Sequence, residues 1–355
     1  MIAQLAAYLH RLDRFAIRFM DDGPAVFMGI RWYGLSYVAG FILGYLLIRR
    51  VARVGVSTLE PKNVSDFIWT LLWGVVIGGR LGYVLFYEPS LLWDPPLLGV
   101  FKVWEGGMSS HGGMIGAILA CVYHARRHKH VIRYLTDLIC FAAPAGLLLG
   151  RLANFVNGEL WGRPCRPDLP WAVRFPQEIT AWSADRLLNL YHQLPAELTS
   201  RMPIEPADIM VSEPVHLYFS NTVIDLVQRG STQVTAVLEP LLLPRHPSQI
   251  YEALLEGLVL FVVLAVIWVR PRRPGILSSW FLILYGAMRI LAEHFREPDI
   301  DIGLQWLGLT RGQWLSVLMV IVGAGLLIAF LRRAADPMGG WRAQSPPSLP
   351  ARLAD

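Results

Sequence analysis

The sequence predicts an all-α polytopic membrane protein of about seven transmembrane helices carrying a small periplasmic head. Three features lead there. Hydrophobic residues make up 54% of the 355 and charged residues only 17%, whereas a soluble domain carries about 25% charge. The apolar residues gather into runs close to the roughly 20 that cross a bilayer as a helix, and mean hydropathy is +0.42. Between the runs, basic residues return in every second loop.

Spans are expected at 26–48, 64–87, 109–126, 134–156, 249–269, 276–296 and 312–331. The third is short and Gly-rich. The first is followed by Arg49, Arg50, Arg53 and Lys62, the third by Arg126, Arg127, Lys129 and Arg133, the fifth by Arg270, Arg272 and Arg273, and the seventh by Arg332 and Arg333. Lys and Arg collect in cytoplasmic loops. These loops are therefore expected inside, with the N-terminus periplasmic and the C-terminus cytoplasmic. Arg11, Arg14 and Arg18 near the N-terminus oppose this order and are outvoted by four basic loops.

The chain then divides into an N-terminal interfacial segment at 1–25, read as an amphipathic helix lying on the membrane, and a seven-helix transmembrane domain at 26–335. Within the latter, 164–245 is too long for a connector and reads as a periplasmic head or insertion, with a β-like run at Trp171–Phe175. Residues 336–355, rich in Pro, Ser and Gly, read as a disordered cytoplasmic tail. Small residues four apart (Gly40 and Gly44, Gly78 and Gly82, Gly112 and Gly116, Gly146 and Gly150) predict close helix packing.

Composition also excludes functions. The net charge of +5 is what basic cytoplasmic loops produce. No basic stripe interleaved with aromatics points to nucleic acid. Cys121, Cys140 and Cys165 form no CxxC pair, so neither a disulfide framework nor a zinc site is expected. There is no HExxH, P-loop, EF-hand or GxSxG pattern, and no metal or other cofactor is expected. Asp299 and Asp301 read as a solvated turn.

Charge inside the apolar runs is the informative signal, because a charged side chain at mid-helix costs roughly 2.5–3.5 kcal/mol on insertion scales. In the sixth span Tyr285, Arg289, Glu293 and Arg296 fall at i, i+4, i+8 and i+11, on one helical face. They form either a structural Arg–Glu pair between helices or a polar wall of a cavity. In the fourth span Arg151 and Asn154 share a face, and Glu159 and Gly162 follow as the helix leaves the bilayer. Arg151 reads as a site residue or as an interfacial arginine reaching for headgroups. His111, flanked by glycines, is a satisfied structural histidine or a proton acceptor near neutral pH. Arg80, Tyr33 and the stretch Arg245–Glu252 add polar groups at the same outer depth of the other spans. Arginines at a lipid-accessible cavity suit an anionic lipid, since guanidinium grips phosphate through two parallel hydrogen bonds.

Four segments carry a family resemblance: Ser110-His111-Gly112-Gly113; Gly150-Arg151-Leu152-Ala153-Asn154-Phe155-Val156-Asn157-Gly158-Glu159-Leu160-Trp161-Gly162-Arg163; His246-Pro247-Ser248-Gln249-Ile250-Tyr251-Glu252; and Tyr285-Gly286-Ala287-Met288-Arg289 with Glu293, Arg296, Pro298 and Asp299. Together with Gly312-Gln313-Trp314-Leu315-Ser316 they resemble bacterial prolipoprotein diacylglyceryl transferases, in order from about Arg31 to Met319. The resemblance implies an inner-membrane transferase. Its substrates would be phosphatidylglycerol and the lipobox cysteine of a preprolipoprotein signal peptide; its products, a thioether and glycerol 1-phosphate. It implies that Arg151 and Arg289 bind the lipid phosphate and act in catalysis, and that His111 takes part in catalysis. It places Tyr33, Asn154, Glu159, Gly162, Tyr285, Glu293 and Arg296 in the active cavity. Glu159 and Glu293 would then orient the arginines and offset their buried charge. The stretch at 178–240 is longer than the resemblance requires and reads as an enlarged head or a flexible insertion. A transporter or flippase for an anionic phospholipid is the competing reading; it predicts repeated halves, and no repeat is found. A purely structural membrane partner is the third, and predicts polar residues that pair off without a cavity.

Overall fold

The computed structural model describes residues 7–19, 29–93, 97–103, 106–297, 305 and 308–342. Pro298, Asp299, Asp301 and the last part of the tail lie outside these residues.

The long helices are Trp32–Val54 (α1), Val64–Phe86 (α2), Ser110–Arg127 (α3) and Ile132–Asn157 (α4). Five short helices follow: Ala184–Gln193 (α5), Ala196–Thr199 (α6), Asp208–Val211 (α7), Glu213–Gln228 (α8) and Thr232–Leu238 (α9). Next come Ser248–Glu252 (α10), a π-helical turn at Ala253–Val259, Leu260–Ile267 (α11), Ile276–Glu293 (α12) and Arg311–Arg332 (α13). Among the described residues, six helices are long and apolar enough to cross a membrane: α1, α2, α4, the continuous Ser248–Ile267, α12 and α13. Their outward faces carry large apolar side chains such as Leu46, Ile77, Val266 and Ile321, the reverse of a soluble surface. The expected third span is the 18-residue α3, whose three glycines, two histidines and two arginines dilute its hydropathy.

Several helix boundaries have an identifiable cause. Ser109 caps α3 by accepting from Gly112 N–H at 3.2 Å. Thr310 and Gln313 form a reciprocal capping box on α13. Gly158, at φ +68°, closes α4 in the left-handed region that favours glycine. The N-terminus of α12 is capped from another helix: the buried Asp137 carboxylate of α4 accepts from Gly275 N–H and Ser278 N–H, both at 2.7 Å. Such a bond pairs a carboxylate with orphan donors at the positive end of the helix dipole. The first helix begins six residues later than the apolar run suggests, because Gly29–Arg31 pairs as a strand with Phe15–Arg18, and it ends later, running through Arg49, Arg50 and Arg53.

Helices pair as α1 with α4, α2 with α3 and α12 with α13. Glycines set the α2–α3 approach: a Cβ at Gly116 would stand 2.0 Å from Gly74 O, and one at Gly112 2.3 Å from Gly78 O. Phe67, Tyr134, Phe141 and Trp268 centre the membrane core.

The 164–245 insertion has its own core, in which Ile179, Trp182, Leu187, Leu190, Phe219 and Val223 pack with Leu9 from the N-terminal arm. Two expectations are corrected. Residues 7–19 form strands rather than an amphipathic helix: Tyr8–Leu9 (β1) and Phe15–Arg18 (β2), joined by Gly29–Arg31 (β3) and Val173–Arg174 (β4). β1 pairs in parallel with β4, Tyr8 opposite Val173, while β2 and β3 pair antiparallel. The insertion edge supplies what a helix would have supplied internally, since Tyr8 and His10 N–H donate to Ala172 O and Arg174 O at 2.9 Å each. The tail is also ordered where it begins: Gly339 N–H donates to Val56 O at 2.6 Å, Met338 and Arg272 bond reciprocally, and Met338 is buried.

Candidate active site

Three helical segments bring the charged residues together. The last turns of α4 carry Arg151 and Asn154, α10 and its π-helical turn carry Glu252 and Glu256, and α12 carries Tyr285, Arg289 and Glu293. Gly257 allows this convergence, because a Cβ there would lie 2.7 Å from Leu148 Cβ on α4. Single π turns recur at functional sites, and this one seats two carboxylates opposite the arginines.

Glu252 and Glu256 are fully buried and form the centre of the network. Arg151 reaches Glu252 Oε2 through Nη1 and Glu256 Oε2 through Nη2, both at 3.1 Å. Arg289 Nη1 lies 2.5 Å from Glu252 Oε1 and 3.2 Å from Glu256 Oε1, while its Nη2 meets Glu293 Oε2 at 2.8 Å. Arg296 Nη1 stands 3.5 Å from Glu252 Oε1. Thr310 donates to Glu293 Oε1 at 3.0 Å, tying α13 to the group. Three guanidiniums and three carboxylates balance, which is how six charges persist away from water. Tyr285 sits in the field of both Arg151 and Arg289. The Arg151 and Arg289 side chains keep 16% and 13% of their surface open.

A second layer follows α4. Asn154 and Asn157 donate to Glu159 at 3.5 and 3.1 Å. The turn after it, where Leu160 adopts φ +56°, is clamped by Gln249 donating to Glu159 O at 2.5 Å and Ser248 to Leu160 O at 2.8 Å. Gly162 bridges to Arg296 and donates to His246 O at 3.0 Å. A Cβ there would meet His246 O at 2.3 Å, so crowded backbone accounts for the glycine.

Of the residues singled out from sequence, Arg151, Tyr285, Arg289, Glu293 and Arg296 converge, and Asn154, Glu159 and Gly162 lie on the adjoining turn. The expectation that Glu159 orients an arginine is corrected: it is held by two asparagines, and Glu252 and Glu256 supply the arginines' carboxylates. Tyr33, at the start of α1, meets Tyr37 at 3.4 Å between hydroxyls. His111 is exposed on the first turn of α3, apart from the ion-pair network. The segment that leads into its helix is held by Arg80, which donates to Gly99 O, Val100 O, Gly106 O and Gly107 O at 2.5–2.9 Å.

Sequence reasoning passed over Glu256 entirely and gave Glu252 no role. Their signal was present: two acids at i and i+4 in the fifth apolar span, the same pattern that exposed Arg289 and Glu293. Among the described residues, no group of three or more His, Cys, Asp or Glu is arranged to hold a metal ion.

Fold and site together define a multi-pass helical membrane protein with a balanced arginine–carboxylate network built into its spans. A profile of the family described as prolipoprotein diacylglyceryl transferase matches residues 25–329. The chain belongs to this family of transferases. It is 42% identical over 350 residues to the phosphatidylglycerol–prolipoprotein diacylglyceryl transferase of Bdellovibrio bacteriovorus, covering 94% of this chain and 97% of the relative. The enzymes of the same name from Paraburkholderia phymatum and Bradyrhizobium diazoefficiens are 40% and 37% identical, over 88% and 89% of this chain and 94% and 92% of theirs.

Proposed function

We propose that this protein transfers the diacylglyceryl group of phosphatidylglycerol to the lipobox cysteine thiol of a preprolipoprotein in the bacterial inner membrane. The observation that carries the reading is the pair of largely buried guanidiniums, Arg151 and Arg289, on buried Glu252 and Glu256 within the spans of a member of this family. Phosphate enters by exchanging with carboxylate oxygens on the guanidinium forks, a geometry both anions share. The thiolate sulfur attacks the glyceryl carbon, the S–C bond forms, and the C–O bond to phosphate breaks. Charge grows on the departing glycerol 1-phosphate, where preplaced arginines act most strongly in a water-poor site. His111 takes the thiol proton, directly or through water. Tyr33, Asn154, Glu159, Gly162, Tyr285, Glu293 and Arg296 shape the cavity around the two substrates. The four basic loops favour a periplasmic N-terminus and a cytoplasmic C-terminus.

Purified protein, phosphatidylglycerol and a lipobox peptide are expected to yield a thioether-linked peptide and free glycerol phosphate. Movement of the lipid across the bilayer with neither product would replace the transferase with a flippase.

A further inference from the structure

A cavity of about 410 Å³ opens where the insertion meets the end of α4. Its floor is the Asn157–Trp161 turn that also holds Glu159. One wall is α8, presenting Asn221, Asp225 and Gln228, and the other is the turn around Gln177 and Thr180. The N-terminal arm closes one edge. Gln228 donates to Leu12 O at 2.9 Å, Arg18 pairs with Asp225 at 3.1 Å, and Arg14 lines the rim.

Three observations identify what fits. The lining is rich in side-chain amides. Each side-chain amide carries a donor and an acceptor, the pair that the backbone of an extended chain also presents. Of the charged lining, Asp225 is already paired with Arg18 and Arg229, which leaves Arg14 and Glu159, one charge of each sign and no cationic cluster to grip a phosphate. The floor is continuous with the charged network, because Glu159 bonds Asn154, one helical turn beyond Arg151.

We propose that this cleft binds the acceptor polypeptide in extended form, over the residues that follow the modified cysteine. The inference rests on the transferase reading and adds a subsite to it. The insertion and the arm then act as a receptor for the mature end of the substrate, while the spans hold its apolar part and the lipid.

The test compares two lipobox peptides, one ending at the cysteine and one extended by several residues, with wild type and Asn221→Trp. Asn221 is exposed, and a tryptophan there fills the cleft. The extended peptide is expected to show a KM about 10-fold below the short one in wild type and to lose that advantage in the variant. The short peptide's KM, the phosphatidylglycerol KM and kcat should stay unchanged. Equal KM for both peptides in wild type, or an equal change for both in the variant, overturns the proposal. A rise confined to the phosphatidylglycerol KM assigns the cleft to the lipid headgroup and also overturns it. Should the variant not fold, a photoreactive residue placed after the cysteine in the extended peptide is expected to crosslink wild type within 157–161 or 221–228; crosslinks elsewhere refute the subsite. Absence of any transfer by wild type refutes the transferase reading instead, and the crosslink still decides the docking question.

Discussion

Arg151 and Arg289 grip opposite oxygens of one buried carboxylate, Glu252: Arg151 takes Oε2 at 3.1 Å and Arg289 takes Oε1 at 2.5 Å. Two guanidiniums on different helices are thus held apart and aimed by one acid on a third. The carboxylate stands where an anionic substrate would compete for the same forks.

Replacing Glu252 with Gln keeps the shape and removes the charge. It leaves three guanidiniums, Arg151, Arg289 and Arg296, facing the two carboxylates of Glu256 and Glu293. Breaking a buried pair this way costs about 3–5 kcal/mol. Thermal unfolding in detergent is expected to show a marked drop in midpoint, together with loss of turnover. An unchanged midpoint would mean that the arginines do not depend on this acid.

Arg289→Lys keeps the positive charge and loses the planar fork that spans Glu252, Glu256 and Glu293. Turnover is expected to fall by about 100-fold, the scale of losing one transition-state donor, with a smaller change in stability. Near-normal turnover would argue against bidentate phosphate binding.

His111 is exposed on the first turn of α3, so His111→Asn is expected to leave the unfolding midpoint in place while lowering activity. Full activity at pH 7 would remove His111 as an essential base. Arg80→Gln offers the contrast: four carbonyls lose their donor, so stability should fall together with activity.

Burial pushes the His10 imidazole down to about 4, partly offset by the hydrogen bond its Nε2 makes to Phe155 O. Its folded value thus lies below the 6.5 of an open histidine, so the unfolded chain binds more protons between the two. Stability from this group is complete above pH 6.5 and is lost as pH falls toward 4, by about 3 kcal/mol in all. His10→Gln is expected to flatten this part of a pH series of unfolding midpoints. A slope unchanged by the substitution would place the titration at another group such as His246, which burial also lowers.

Much of this was legible in the sequence because membranes simplify it. Long apolar runs marked the spans, and the cost of intramembrane charge marked Arg151, Arg289 and Glu293. The small-residue spacings at Gly78, Gly82, Gly112 and Gly116 marked the α2–α3 contact. What stayed hidden depends on partners distant in sequence. Tyr8–Leu9 becomes a strand only because Val173–Arg174 lies beside it. Met338 and Gly339 are ordered only because Arg272 and Val56 wait for them. Glu256 lies in no turn-rich motif and shows in the sequence only through its i, i+4 spacing from Glu252; that the two acids face Arg151 and Arg289 is set by the packing of three helices.

The parallel pairing of Tyr8 with Val173 also constrains how the chain is threaded. One partner precedes α1 and the other follows α4, yet both lie on the same sheet and hence on the same face of the bilayer. A chain returns to its starting face only after an even number of crossings. Helices α1, α2 and α4 supply three, so parity requires α3 to cross as well, despite its diluted hydropathy. The glycine seam between α2 and α3 then reads as the means by which a marginally apolar segment stays in the membrane: it enters against a neighbour rather than against lipid alone.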